Sequence, residues 1–401
     1  MLDLAFLPDW PPGANQMLWV GVLLAAGVIG GELARRVARL PRITGYAAAG
    51  LALGAGGLGL IGGPLLGELS ALADVAIGLV LFELGQRLDL AWLRRTPALA
   101  LMGVAESAGA AVLVFFTLHY YFDLTPLSAA VAAAIAVSTS PAVLMRVAAD
   151  LRAEGQVTER ALIVTAINSV LAFLALTVLV PWLHLEYGGG WLTMIVHPVY
   201  IVAVSAALAV AGAWATLGLA RLIGKDPERQ FIAVVAMVVL TVGFAILVKA
   251  SVLLALLGMG VLVRNADRER HFIVADSGRA GQLFYVVLFV ITGASLDLGL
   301  LATAGAAGLA LVLVRFAGKA LGVLMLAPLA GLRFRNAALL ALALTPMSGL
   351  TVVMVHATAS LYPEVRQSVA PIVLAAVVIL ELVGPILVQV ALKRAGETGQ
   401  S

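Results

Sequence analysis

Apolar runs long enough to cross a bilayer follow one another along almost the whole of this 401-residue chain. A spanning helix needs roughly 17–25 predominantly apolar residues. That template predicts about thirteen spans, near 17–37, 43–61, 65–86, 97–118, 127–148, 160–183, 196–220, 229–247, 250–264, 280–296, 299–328, 336–359 and 367–392. The expected fold class is therefore an all-α polytopic membrane protein. Composition agrees, with 62% hydrophobic and only 12% charged residues, against about 25% charged in soluble chains. So little charge leaves no face for reading nucleic acid, and the net charge of +3 reports on loops. The absence of cysteine excludes disulfides, thiolate metal sites and cysteine nucleophiles. The opening residues MLDLAFLPDW carry Asp3 and Asp9 and no basic residue. That is the opposite of a signal-peptide start, so the first run is read as a permanent span.

The basic residues test the span count. With the gaps numbered alternately, all but four of the 25 Lys and Arg residues collect on one side, from Arg35, Arg36, Arg39 and Arg42 through to Lys393 and Arg394. Of the four, Arg366 falls on the other side, while Lys249, Arg315 and Lys319 fall within spans. Such a bias marks the basic side as cytoplasmic. An outside N-terminus, a cytoplasmic C-terminus and an odd number of spans follow. The longest hydrophilic stretch, Arg264 to Arg279, is too short for a nucleotide-binding fold, and no Walker-type glycine motif occurs. No soluble regulatory or nucleotide-binding domain is expected in this chain.

Two segments echo each other. LFELGQRLDL runs from Leu81 to Leu90 and LFVITGASLDL from Leu288 to Leu298, and the charge map puts Asp89 and Asp297 on opposite sides. At similar distances beyond each copy an apolar span is interrupted, by Thr139-Ser140-Pro141 and by Thr345-Pro346. Proline removes a backbone donor and clashes with the preceding turn. Backbone groups freed at membrane depth survive only where protein or a water-filled cavity satisfies them. Interrupted helices at matching places in two inverted halves point to a transporter's midplane site.

Charges at helix centres cost about 2.5–3.5 kcal/mol on insertion scales, so each needs a reason. Glu106 lies eleven residues past Arg95, about 16 Å deep at roughly 1.5 Å per residue. Lys319 lies fourteen residues before Arg333, about 21 Å by the same rise, and Glu381 twelve before Lys393, about 18 Å. Glu106 and Lys319 occupy the spans immediately before the two interrupted ones, so an ion pair between them is expected. Arg315 shares a helix face with Lys319. Asp74, Glu83 and Glu32 lie nearer span ends, where snorkelling serves, and Lys249 reads as an interfacial anchor. His197 and His356 are read as hydrogen-bonded structural residues, and Gly50-x-x-x-Gly54 as a close helix contact.

These residues resemble the membrane domain of the monovalent cation:proton antiporter-2 family, the group containing Kef-type and related sodium/proton exchangers. The likeness covers nearly the whole chain. It rests on LPRITGYAAAGLALG (Leu40 to Gly54), LFELGQRLDL, AVSTSPAVLMRV (Ala136 to Val147), LFVITGASLDL, RFAGK (Arg315 to Lys319), LALTPMSGLTVVMV (Leu342 to Val355) and ELVGPILVQVALKRAGE (Glu381 to Glu397). It implies a sodium/proton antiporter-like fold of inverted repeats with two broken crossing helices. It further implies a homodimer in a cell (inner or plasma) membrane, not an enzyme, without a cofactor beyond the transported ions. A core of approximately 97–183 and 299–392 would be displaced, elevator-like, against a dimerisation platform of approximately 17–86 and 196–296. Lys319 matches the family's core lysine that pairs with an ion-binding carboxylate.

One departure carries weight. Where the family has an Asp, often in an Asn-Asp or Asp-Asp pair, this chain reads Thr165-Ala166-Ile167-Asn168-Ser169-Val170. After the second break, an Arg-Gly-Glu-like stretch is replaced by Met347-Ser348-Gly349. Asn and Ser do not titrate near neutral pH. Oxygen ligands for a transported Na⁺ or K⁺ are then expected from Asn168, Ser169, Thr139, Ser140 and carbonyls opened at the breaks, including the one at Thr345. The titrating role is expected of Glu106 beside Lys319, with Glu381 second. Proton-for-cation exchange is the leading expectation; an anion or other solute as cargo, and a non-transporting sensor or subunit, stay open beside it. The lack of cysteine makes the topology directly testable. Gln367→Cys should react with an impermeant maleimide in intact cells, and Arg94→Cys only after permeabilisation; labelling of both from one side would refute the alternation.

Overall fold

The computed structural model describes residues 16–186, 191–267 and 278–399, and every regular element among them is helical. The expectations for Asp3, Asp9, Arg268 and Arg270 lie outside the described residues. The helices are α1 (Gln16–Arg36), α2 (Arg42–Leu53), α3 (Gly63–Gln86), α4 (Leu90–Arg95), α5 (Pro97–Tyr121), α6 (Pro126–Val137), α7 (Pro141–Leu151) and α8 (Gln156–Glu186). They continue with α9 (Trp191–Ile223), α10 (Pro227–Leu247), α11 (Val252–Ala266), α12 (Gly278–Ala294), α13 (Gly299–Leu326), α14 (Phe334–Ala343), α15 (Gly349–Leu361) and α16 (Ala370–Ala395). A single π turn, Val365–Val369, precedes α16.

Nine stretches among the described residues are helical, long and apolar enough to cross a membrane, and the chain is a multi-pass membrane protein. The remaining expected spans fall on shorter helices: 43–61 on α2, 250–264 on α11, 280–296 on α12, and 336–359 on α14 with α15. Helices α9 and α10 expose Val199, Trp214, Leu222, Ile232, Phe244 and Leu247, an apolar surface that water would penalise and lipid accepts. The α6–α7 pair is the opposite case, almost wholly inside the protein.

Both interruptions fall where the prolines predict. Helix α6 stops at Val137, and Ser138-Thr139-Ser140 run extended before Pro141 opens α7. At a first helical position proline's missing N–H costs nothing, and the residue before it is driven to extended angles. Helix α14 stops at Ala343, and Leu344 to Ser348, with Pro346 among them, lead into α15. The two extended stretches cross and bond to each other. The Ser140 amide donates to the Pro346 carbonyl at 2.9 Å, and the Thr139 hydroxyl donates to the Leu344 carbonyl at 3.1 Å. Hydroxyl pairs Ser140–Ser348 and Ser138–Thr351 complete the crossing.

Glycines bring the helices that flank the crossing into backbone contact. A Cβ on Gly318 of α13 would sit 2.6 Å from the Ala110 nitrogen of α5, and one on Gly322 would sit 2.5 Å from the Glu106 backbone. Small residues four apart permit such approach, and in lipid this packing is a main force between helices. Gly50 and Gly54 do the same for α2, against Ala294 of α12. Gly318→Val drives a branched side chain into the α5 backbone. It is expected to cost about 1–3 kcal/mol or more, read as a lowered melting temperature of the purified protein, whereas Gly243→Val, which meets no neighbour, should leave it unchanged.

Candidate functional site

The close contact of α5 with α13 sets Glu106 and Lys319 face to face beside the crossing. Both are fully buried, and Lys319 Nζ donates to Glu106 Oε2 at 2.7 Å. The same ammonium donates to the Val137 carbonyl at 2.9 Å and to the Thr139 hydroxyl at 3.2 Å, so all three of its protons are used. The other carboxylate oxygen, Glu106 Oε1, accepts from Asn168 Nδ2 at 2.9 Å and from the Ser107 hydroxyl at 3.4 Å. Asn168 also donates to the Thr139 hydroxyl at 2.9 Å and accepts from the Thr139 amide at 3.2 Å. Thr139 is thereby the hub, joined to α5 through Asn168 and to α14 through its own hydroxyl.

Arg315, one turn before Lys319, bonds differently. Its Nε donates to the Ala136 carbonyl at 2.6 Å, Nη2 to Ser138 at 2.7 Å and Nη1 to Thr345 at 2.6 Å. These carbonyls, with that of Val137, belong to the buried C-terminal ends of α6 and α14, where no further helical turn pairs them. Each helix end carries roughly half a negative charge, so a lysine and an arginine here answer both the orphan acceptors and the field. The positive end of α7 meets a hydroxyl instead, Ser140 capping the Val143 amide at 3.3 Å.

Residues 21–394 match the family model described as sodium/hydrogen exchanger, transmembrane. The chain belongs to the sodium/hydrogen exchanger family. Two solved structures share the exchanger's fold, both of the sodium proton antiporter MjNhaP1 from Methanocaldococcus jannaschii. One, at pH 8, is 20% identical with a TM-score of 0.67, covering 95% of this chain and 96% of that one. The other, an electron-microscopy map, is 18% identical with a TM-score of 0.70, covering 96% and 99%. No curated protein matches the sequence.

Of the residues singled out from the sequence, the exchanger gathers Glu106, Lys319, Thr139, Ser140 and Asn168, with the backbone of Thr345, at one crossing. Ser169 is buried beside Asn168 but donates to the Thr165 carbonyl of its own helix at 2.8 Å. Glu381 stands outside this network: it is 1% exposed and neither carboxylate oxygen has a partner. His356 is exposed on α15. Ser138, Ser348 and Thr351 join the crossing without having been singled out. Their signal was present, as hydroxyl residues clustered around each interrupting proline.

Removing one member of a buried ion pair leaves an uncompensated charge, which costs about 3–5 kcal/mol, whereas neutralising both members together costs far less. Lys319→Met is therefore expected to lower the melting temperature sharply and Glu106→Gln/Lys319→Met to recover most of it. A double variant no more stable than Lys319→Met would show that the pair is not coupled.

Proposed function

We propose that this exchanger moves protons against Na⁺ or K⁺, with the Glu106–Lys319 pair as the exchanging unit. The carrying observation is that Glu106 is the carboxylate at the crossing, held by an ammonium whose three bonds go to oxygen atoms. Those oxygens, from Glu106, Val137 and Thr139, are hard ligands of the kind an alkali cation takes. The pair holds one exchangeable proton as a unit. With it, the ammonium occupies the carboxylate; without it, a cation takes the ammonium's place, and the net charge of the site is unchanged. One cation then moves for one proton. Asn168 and Thr139 supply neutral oxygens, with Ser140, Ser169 and the Thr345 carbonyl as further ligands once the crossing opens. Glu381, buried and unpartnered, is the second candidate for the titrating role.

An anion as cargo is less favoured, because every proton of Lys319 and all three nitrogens of Arg315 are already engaged. We further assign the chain to the monovalent cation:proton antiporter-2 branch on the motifs quoted above. It would act as a homodimer in the cell membrane, its N-terminus outside and its C-terminus cytoplasmic. Residues of about 97–183 and 299–392 form the moving core and about 17–86 and 196–296 the platform. The network supports this division, since α5, α6, α7, α8, α13, α14 and α15 all contribute to the crossing.

Reconstituted flux with Na⁺, K⁺ and Li⁺ under an imposed pH gradient tests the proposal. Glu106→Gln and Lys319→Met should each lower proton-coupled cation flux by about 100-fold or more, and Glu381→Gln should retain it. Undiminished exchange by Glu106→Gln, with loss in Glu381→Gln, would transfer the role to Glu381. Absence of flux for every ion in the unaltered protein would leave a sensor or assembly subunit.

A further inference from the structure

Where the C-terminal ends of α1 and α16 approach α7, a cavity of about 330 Å³ is lined by Arg35, Arg39, Arg42, Asp150, Gln389 and Lys393 among others. Its size falls at the lower end of the range for small-ligand sites. Four cations face one carboxylate. That carboxylate is already engaged, Asp150 taking Arg146 at 2.9 Å and Arg42 at 3.9 Å. Nearby Glu32 holds Arg35 at 2.8 Å, Arg36, and Arg42 at 3.8 Å. Arg39 and Lys393 are paired with no carboxylate among the described residues, although they come from chain segments far apart in sequence. Their convergence on one cavity is a repulsion that an anion would relieve.

The backbone at Arg39 adds a second observation. Its φ of +53° is left-handed, a conformation that costs a residue with a side chain of order 1–3 kcal/mol. Its carbonyl is held there by Gln389 Nε2 at 3.2 Å, itself a lining residue. The Leu40 amide closes α1 on the Ala34 carbonyl at 3.0 Å, a helix ending that puts Arg39 in the left-handed position, and with the Gln389 bond it fixes the corner from which the exposed Arg39 side chain lines the cavity. The site lies on the arginine-rich side of the chain, among the ends of apolar helices, and clustered Lys and Arg beside membrane helices attract anionic headgroups.

We propose that this cavity binds a phosphate-bearing anion, the headgroup of an anionic phospholipid, with Arg39 and Lys393 as its principal donors and Arg35 and Arg42 completing the charge. The bound phosphate ties the α1–α2 corner to α7 and α16. This binding stands independently of the exchange reaction and is measured without transport.

The test is thermal stability of the purified full chain titrated with dioctanoyl phosphatidylglycerol, dioctanoyl phosphatidylcholine or inorganic phosphate. Phosphatidylglycerol is expected to raise the melting temperature saturably, and phosphatidylcholine to leave it unchanged. Arg39→Gln/Lys393→Gln should need about tenfold more phosphatidylglycerol for the same shift, an effect of the size expected from losing charge-assisted bonds. The single variants should each weaken the response, and each variant is compared with its own lipid-free state, so a lower baseline does not obscure it. Arg94→Gln/Arg95→Gln, which removes the same charge from exposed α4, should respond as the unaltered protein does. A saturable shift with inorganic phosphate at equal concentration identifies a free anion as the ligand. Equal responses to both lipids, an undiminished response in Arg39→Gln/Lys393→Gln, or an equal loss in Arg94→Gln/Arg95→Gln would overturn the assignment.

Discussion

Interrupting two helices at membrane depth leaves backbone carbonyls that no water can reach, and Arg315 and Lys319 are what satisfies them. Between them they bond to Ala136, Val137, Ser138 and Thr345 at 2.6–2.9 Å. Without those two cations the ends of α6 and α14 would each present unpaired acceptors and a partial negative charge to a low-dielectric interior. The same requirement explains why the charges are tolerated. A buried ammonium or guanidinium is expensive unless it is hydrogen-bonded, and here Lys319 uses all three protons and Arg315 donates from each of its three nitrogens. Glu106 then balances Lys319, and Asn168 fixes the second oxygen of Glu106. Each polar group is present because another one is.

Backbone contact between α5 and α13 makes this possible. Gly318 and Gly322 let α13 approach α5 so closely that Glu106 and Lys319 reach each other directly. The serines and threonines of the breaks serve a second purpose. By bonding across the crossing, they hold two broken segments in one register while leaving oxygens beside the carboxylate.

Asn168-Ser169 stand where the resembled family has an Asp, and they bring no carboxylate to the site. Asn168 still reaches the crossing, while Ser169 bonds back along its own helix. A single carboxylate, Glu106, therefore faces the lysine.

The sequence by itself determined the membrane helices, the two interruptions and the depth of Glu106, Lys319 and Glu381. Hydropathy, proline and rise per residue act along one segment, and these features follow from them. Thr139, Ser140 and Asn168 were also legible as candidates, from the break and from the position of the missing Asp. Only the tertiary structure decided that Arg315 bonds carbonyls while Lys319 takes the carboxylate, although the two sit one turn apart on one face. It also separated Glu381 from Glu106, which similar depth could not do, because depth says nothing about which neighbour a helix face meets. The cavity at Arg39 and Lys393 belongs to the same class. Its residues lie at opposite ends of the chain, and only the packing of α1, α7 and α16 brings them to one place.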